Sequence, residues 1–280
     1  MKKLTRILSI LMAVAMIVAL ATACGTEENT GAENAVQNEV TKTPTEKTSD
    51  AEEITKNGKM VIGYTIYEPM NYEENGELTG FDTEFAKAVC EKLGVEPEFV
   101  VIDWDNKFLE LESKSIDCIW NGMTITDEAK KNASVSNAYV KNAQIVVMNE
   151  AKVADYKDVE SLKGLSFAAE AGSAGESAIK DNGLDEKYVA VAAQTDALLE
   201  VMSGSVDACV IDITMANAMT GKGTSYESLA SGIELTTEEY GIAFRKESDM
   251  TAKVNDIMVE LKADGTLDAL AEKYSLTLAF

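Results

Sequence analysis

The chain contains no histidine. Nucleophiles that depend on an imidazole base, in Ser-His or Cys-His pairs, are thereby excluded, and a zinc site would have to rely on carboxylates and scattered thiols. Basic residues are scarce as well: 25 Lys and Arg face 48 Asp and Glu, for a formal net charge of −23. Such a chain repels a phosphate backbone, so no nucleic-acid partner is expected. The charge does not identify a ligand, because long-range fields govern solubility and steering while binding is settled inside a pocket. Only four cysteines are present, with no CxxC among them. Beyond Cys24, Cys90 sits on a helical pattern while Cys118 and Cys209 lie in apolar strand-like runs, which reads as three free thiols acting as small hydrophobes. No P-loop, G-x-G-x-x-G, G-x-S-x-G or EF-hand pattern occurs. Ser177-Ala178-Ile179-Lys180 matches S-x-x-K, yet without its usual companion motifs it reads as a solvated helix face. No catalytic residue, metal or cofactor is therefore assigned.

A long apolar run occurs only at the start, and it is too short to cross a bilayer comfortably. Lys2, Lys3 and Arg6 precede an uncharged stretch over 7–20 that small residues then lead to Cys24. Residues 1–23 thus have the layout of a secretory signal rather than the roughly 20-residue apolar span of a membrane helix. Ala21-Thr22-Ala23-Cys24-Gly25 resembles a bacterial lipobox, with Ala21 where Leu is usual, and makes Cys24 the expected lipid attachment point. An ordinary cleaved signal with an incidental cysteine is the alternative. Removing the signal lowers the basic count from 25 to 22 against 48 acids, and so takes the charge from −23 to −26. Residues 24–57, rich in Glu, Thr, Asn and Lys, carry almost no large apolar side chain and read as a disordered tether.

From Lys59 onward, short apolar runs alternate with amphipathic segments, which predicts an α/β fold with largely parallel sheets. Strands are expected over 60–63, 98–102, 116–120, 166–169, 208–211 and 242–244. Helices are expected over 82–93, 104–111, 174–180, 195–202 with Thr195 as N-cap, 252–263 and 267–274. Residues 111–119 and 201–209 echo one another: a helix ends, a Ser-containing turn follows, and a strand begins just after Asp117 or Asp207. Two lobes on one plan would produce this. The chain is expected to cross between them near 144–148 and 239–244, giving lobe 1 as 58–145 plus 243–280 and lobe 2 as 146–242. One turn stands out chemically. A strand ending at Glu170 runs through Ala171-Gly172-Ser173-Ala174-Gly175 into a helix, so small residues can expose N–H groups to an anion, although a plain tight turn looks the same in sequence.

Residues 58–280 resemble the polar-amino-acid-type (family 3) periplasmic solute-binding proteins. The likeness rests on Val61-Ile62-Gly63 leading to Tyr67-Glu68-Pro69, on Gly80-Phe81-Asp82, on the run from Asp117 to Thr126, on Asp207-Ala208 leading to Asp212, and on the later Gly241 to Lys246 and Asp264 to Leu267 stretches. The resemblance implies two α/β lobes joined by two hinge strands around a trapped ligand. It implies aromatic walls at Tyr67 and Trp104, for which core packing is the alternative. Asn121, Gly122, Met123 and Thr124 would contribute hydrogen bonds from lobe 1, with Glu68 nearby. Gly172, Ser173 and Ala174 would offer N–H donors from lobe 2. Asp212 would take an α-ammonium, unless it merely caps the 213–219 segment, and Glu170 stands at the cleft mouth.

One element of that pattern is missing. The Arg expected three residues after Thr126, which would fork onto a ligand carboxylate, is Ala129, and the nearest cations, Lys130 and Lys131, cannot reproduce a two-pronged contact. Either N–H groups and an inward-turned lysine hold the carboxylate, or the ligand lacks one; the acids favour a cationic or strongly donating ligand. The implied role is the solute-binding component of an ABC importer: a monomer tethered through Cys24 to the outer face of the cell membrane, which closes on a small polar solute and delivers it to permease subunits. A sensor that presents solute to a signalling partner is the alternative, and dehydratases on this fold are the enzymatic precedent.

Overall fold

A computed structural model describes residues 49–280, so the expected signal, Cys24 and most of the tether lie outside the described residues. The end of the expected tether is structured. Asp50–Asn57 forms a helix in which the Ser49 hydroxyl accepts from the Glu52 N–H, acids occupy the first turn and Gly58 closes the end at φ 69°. Its Ala51 and Ile54, three residues apart on one face, are buried in the main core. Arg245 holds it from outside, donating to Asp50 at 3.2 Å, to Asp117 at 3.1 Å and to the Ile116 carbonyl at 2.8 Å. A short amphipathic helix with two apolar anchors is hidden within a polar composition, which is why the boundary at 57 was set too late.

Two five-stranded sheets follow. The first runs in the order Glu96–Val101, Lys59–Tyr64, Cys118–Ile119, Ala243–Phe244, Ser134–Val135. Its first three strands are parallel and Ala243–Phe244 is antiparallel to both neighbours. The second runs Tyr188–Val191, Phe167–Glu170, Ala208–Asp212, Gln144–Asn149, Leu229–Glu234, again with three parallel strands followed by antiparallel pairings. The sheets are thus mixed rather than largely parallel, because the strands that return from one sheet to the other must run backwards.

The antiparallel pair Val140–Asn142 and Glu238–Tyr240 joins the two sheets. The division expected at 145/146 falls inside the Gln144–Asn149 strand and moves back to this pair. The sequence echo is structural: Ser113 Oγ and Ser115 Oγ sit 2.9 Å apart, as do those of Ser203 and Ser205. Asp117 accepts from the Val61 N–H at 2.9 Å, and Asp207 from that of Ser166 at 3.0 Å, each tying the turn to the neighbouring strand. Cys90, Cys118 and Cys209 are buried free thiols.

The helix at 50–57 gives a direct test of packing. Ile54→Ala is expected to lower the unfolding free energy by about 2–4 kcal/mol, read from the denaturant midpoint. A loss below about 0.5 kcal/mol, the size of an ordinary surface change, would return these residues to the tether.

Candidate functional site

The C-terminal ends of parallel strands from both sheets face one cavity of about 290 Å³. Trp104, Lys107, Asn121 to Thr124 and Ala129 line it from the first sheet's side; Glu170, Gly172 to Ala174, Gln194 and Asp212 line it from the second's. All the residues expected at the site line this cavity except Tyr67 and Glu68. Contact across it is close: a Cβ added to Gly172, whose φ is +67°, would lie 2.7 Å from Asp105 Oδ1.

Tyr67 lies behind the wall. It is buried, and its hydroxyl bonds to the hydroxyls of Thr214 and Tyr240, themselves 3.0 Å apart. Its ring edge would fall 2.6 Å from a Cβ at Gly122, whose φ of +54° also favours glycine. The tyrosine therefore shapes the backbone of the wall instead of presenting a face to the cavity. Glu68 is carried away by the tight turn that the Tyr67 N–H closes onto the Asn71 carbonyl at 2.7 Å, and lines a separate cavity with Lys273.

Several expected donors are already committed. The Asn121 amide accepts from the Thr65 N–H and hydroxyl at 3.0 and 2.8 Å and donates to the Thr65 carbonyl and to Asn71 at 2.9 and 2.8 Å. Its side chain can offer a ligand nothing further. The Gly122 N–H donates to Asp82 at 2.6 Å, and the Thr124 hydroxyl to Glu238 at 2.7 Å. In the small-residue turn the Gly172 N–H goes to Glu176 at 2.7 Å, and the Glu176 N–H to Ser173 Oγ at 3.1 Å. The helix Ala174–Asp181 thus caps itself with its own carboxylate, a variant of the capping box. Of the expected anion-binding N–H groups, that of Ser173 also turns back, to the Glu170 carbonyl at 3.2 Å.

Asp212 ends a fully buried strand and begins the Ile213–Met219 helix, yet its side chain makes no capping bond. Its carboxylate instead accepts from Asn142, Gln144 and Gln194, with the Gln144 bond at 2.8 Å. Asn142 and Gln144 also donate to Glu238, each at 2.7 Å. Burial, then Glu238, pushes the Asp212 carboxyl upward. Glu170 is 2 % exposed and its Oε1 has no hydrogen-bond partner among the described residues. Burial, reinforced by Asp212, pushes its carboxyl up to about 8.

Lys107 and Gln194 escaped sequence reading. The segment 104–111 is a 3-10 turn, Trp104–Asn106, followed by the helix Lys107–Glu112, and this junction turns Lys107 inward. Its Nζ donates to the Trp104 carbonyl at 3.1 Å and, across the cavity, to that of Gly172 at 2.8 Å, while lying 4.9 Å from the centre of the Trp104 ring. Burial holds its ammonium below the usual lysine range, against the opposing pull of Glu128 and Glu170. The spacing of three from Trp104 was the available signal, since it puts both on one helix face. Lys130 and Lys131 remain exposed, so neither is the inward lysine. The helix expected over 195–202 with Thr195 as N-cap starts one residue earlier, at Gln194–Ser203, with Ala193 as an N-cap that makes no side-chain bond, and this puts Gln194 in its first turn.

The raised Glu170 carboxyl sets a pH dependence. The folded state holds this proton from the ordinary 4.5 up to about 8, so the residue's contribution to stability is full below about pH 4.5 and lost as pH rises through 8. The melting temperature of the ligand-free protein should fall across that window. Glu170→Gln should remove at least about 4 °C of the fall, the shift that roughly 1–2 kcal/mol makes in a domain of this size. Parallel wild-type and variant curves, followed by calorimetry, would remove Glu170 as the source.

The chain is similar to known proteins over nearly all of this region. It is 29% identical over 224 residues, 79% of this chain and 84% of the relative, to the L-cystine-binding protein TcyJ of Escherichia coli (strain K12). It is 32% identical over 226 residues, 77% of this chain and 86% of the relative, to the arginine-binding extracellular protein ArtP of Bacillus subtilis (strain 168). A crystal structure of a mutant of ArgBP from T. maritima superposes with a TM-score of 0.74 at 35% identity, covering 80% of this chain and 98% of that one. The family model for bacterial extracellular solute-binding proteins, family 3, matches residues 60–277, and the chain belongs to that family.

Proposed function

We propose that this protein is the extracytoplasmic solute-binding component of an ABC importer, capturing an amino acid or related small amine-bearing solute between its lobes and delivering it to permease subunits. The observation that carries the reading is the cavity lined from both sheets, with Asp212 presented at its floor and Trp104 at its wall. Asp212 accepts from the neutral amides of Asn142, Gln144 and Gln194 and from the Tyr240 hydroxyl, so a ligand ammonium would bring it the positive partner that a buried carboxylate requires. The names of relatives that bind cystine and arginine support the same class of solute. Closure is a population shift that the solute drives by binding the closed form better. The protein acts as a binder and not a catalyst: the chain has no histidine, and the buried Asp212 is engaged with amides rather than with a nucleophile. It works as a monomer, held to the outer face of the membrane by a lipid on Cys24.

Small molecules released from the purified protein and identified by mass spectrometry should include an amine-bearing solute, and titration calorimetry should return a Kd near micromolar, equivalent to about −8 kcal/mol. Asp212→Asn is expected to weaken that binding by about 10–100-fold, in a variant shown by its melting curve to be folded. If no amino acid or amine binds or compacts the protein in small-angle scattering, the reading fails. For the anchor, Cys24→Ser should move the protein from the membrane to the soluble fraction; unchanged membrane retention would exclude lipidation there.

A further inference from the structure

We propose that the solute is an organic cation bearing amine or guanidinium groups and no carboxylate, with one cationic end received by Glu170. This rests on the reading of the cavity as a solute site. The lining is one-sided: Asp127, Glu128, Glu170, Asp181 and Asp212 supply five acids, and Lys107 is the only basic side chain among the residues that line it. That single ammonium is already donating to the carbonyls of Trp104 and Gly172. At Ala129, 1 % exposed on the wall, a methyl group stands where the family resemblance led to an arginine.

Hydrogen-bond supply points the same way. On the first sheet's side, the Asn121 amide, the Gly122 N–H and the Thr124 hydroxyl are spent on Thr65, Asp82 and Glu238. On the second side the Gly172 N–H is spent on Glu176. Besides the Ala174 N–H, what this side leaves is the Glu170 Oε1, an acceptor buried without a partner among the described residues. A buried acceptor left unpaired is costly, so a ligand N–H placed there restores what burial removed. A ligand carboxylate would have to compete for one lysine already held by two carbonyls. Trp104 and Phe108 line the same cavity, and the Lys107 ammonium lies over their rings, 4.9 and 5.1 Å from the centres.

Matched pairs that differ by one carboxylate test this: L-arginine with agmatine, L-lysine with cadaverine, L-ornithine with putrescine, each titrated into the purified protein dialysed free of bound solute. The decarboxylated member of at least one pair should bind at least about tenfold tighter, and Glu170→Gln, checked for folding by its melting curve, should lose at least about tenfold for that amine, a change of roughly 1.4 kcal/mol. Equal or tighter binding of the amino acid in every pair, binding confined to neutral or acidic amino acids, or unchanged affinity in Glu170→Gln overturns the inference and leaves the solute-binding reading standing. Binding of no amine and no amino acid at all fails both.

Discussion

Two carboxylates, the buried Asp212 and the half-buried Glu238, share one set of amide donors at the point where the chain passes between its sheets, and the architecture of the site depends on that arrangement. Asn142, at the end of one hinge strand, and Gln144, at the start of the strand that enters the second sheet, each donate to both Asp212 and Glu238. Glu238 opens the other hinge strand and takes the Thr124 hydroxyl from the first sheet's side. Both hinge strands and both walls are therefore tied into a single polar network. Such a network is stabilising only while every member is satisfied, because two like charges are held close in a medium that screens them poorly. It holds Asp212 in the lining of the cavity.

Around that network the wall is built by removal of alternatives. Tyr67, Thr214 and Tyr240 form a hydroxyl cluster behind Gly122, and Asp82 takes the Gly122 N–H from the other side. Burial pushes the Asp82 carboxyl up to about 7, while the Gly122 N–H and the Tyr139 hydroxyl oppose that rise. The backbone around Gly122 is thus positioned by groups that never reach the cavity. The same economy operates in the turn before Ala174–Asp181, where the Glu176 carboxylate accepts from the Gly172 N–H, which would otherwise be open to an anion.

Much of the fold was legible because it is local. The helix expected over 82–93 is found as Phe81–Leu93, with Phe81, Phe85 and Val89 buried along one face and the C-cap Gly94 at φ 72°. The echo of 111–119 in 201–209 forecast two matching helix-turn-strand units, since the Ser and Asp side chains that hold them bond within a few residues or to the adjacent strand. The helix Asp50–Asn57 was missed because its stabilising contacts are remote: Arg245 and Asp249 lie almost 200 residues away along the chain.

By itself, the sequence determined the α/β alternation, the positions of Asp212 and Glu170 at strand ends, and the replacement of an expected arginine by Ala129. These follow from residue identity and from short-range periodicity, which no later packing can alter. Only the tertiary structure decided that Tyr67 supports the wall from behind, that Lys107 reaches across to Gly172, and that Asn121 and Gly172 spend their donors internally. Those outcomes are choices among partners brought together by the closing of two sheets, and a side chain's partner is set by three-dimensional distance, about which the order of residues along the chain is silent.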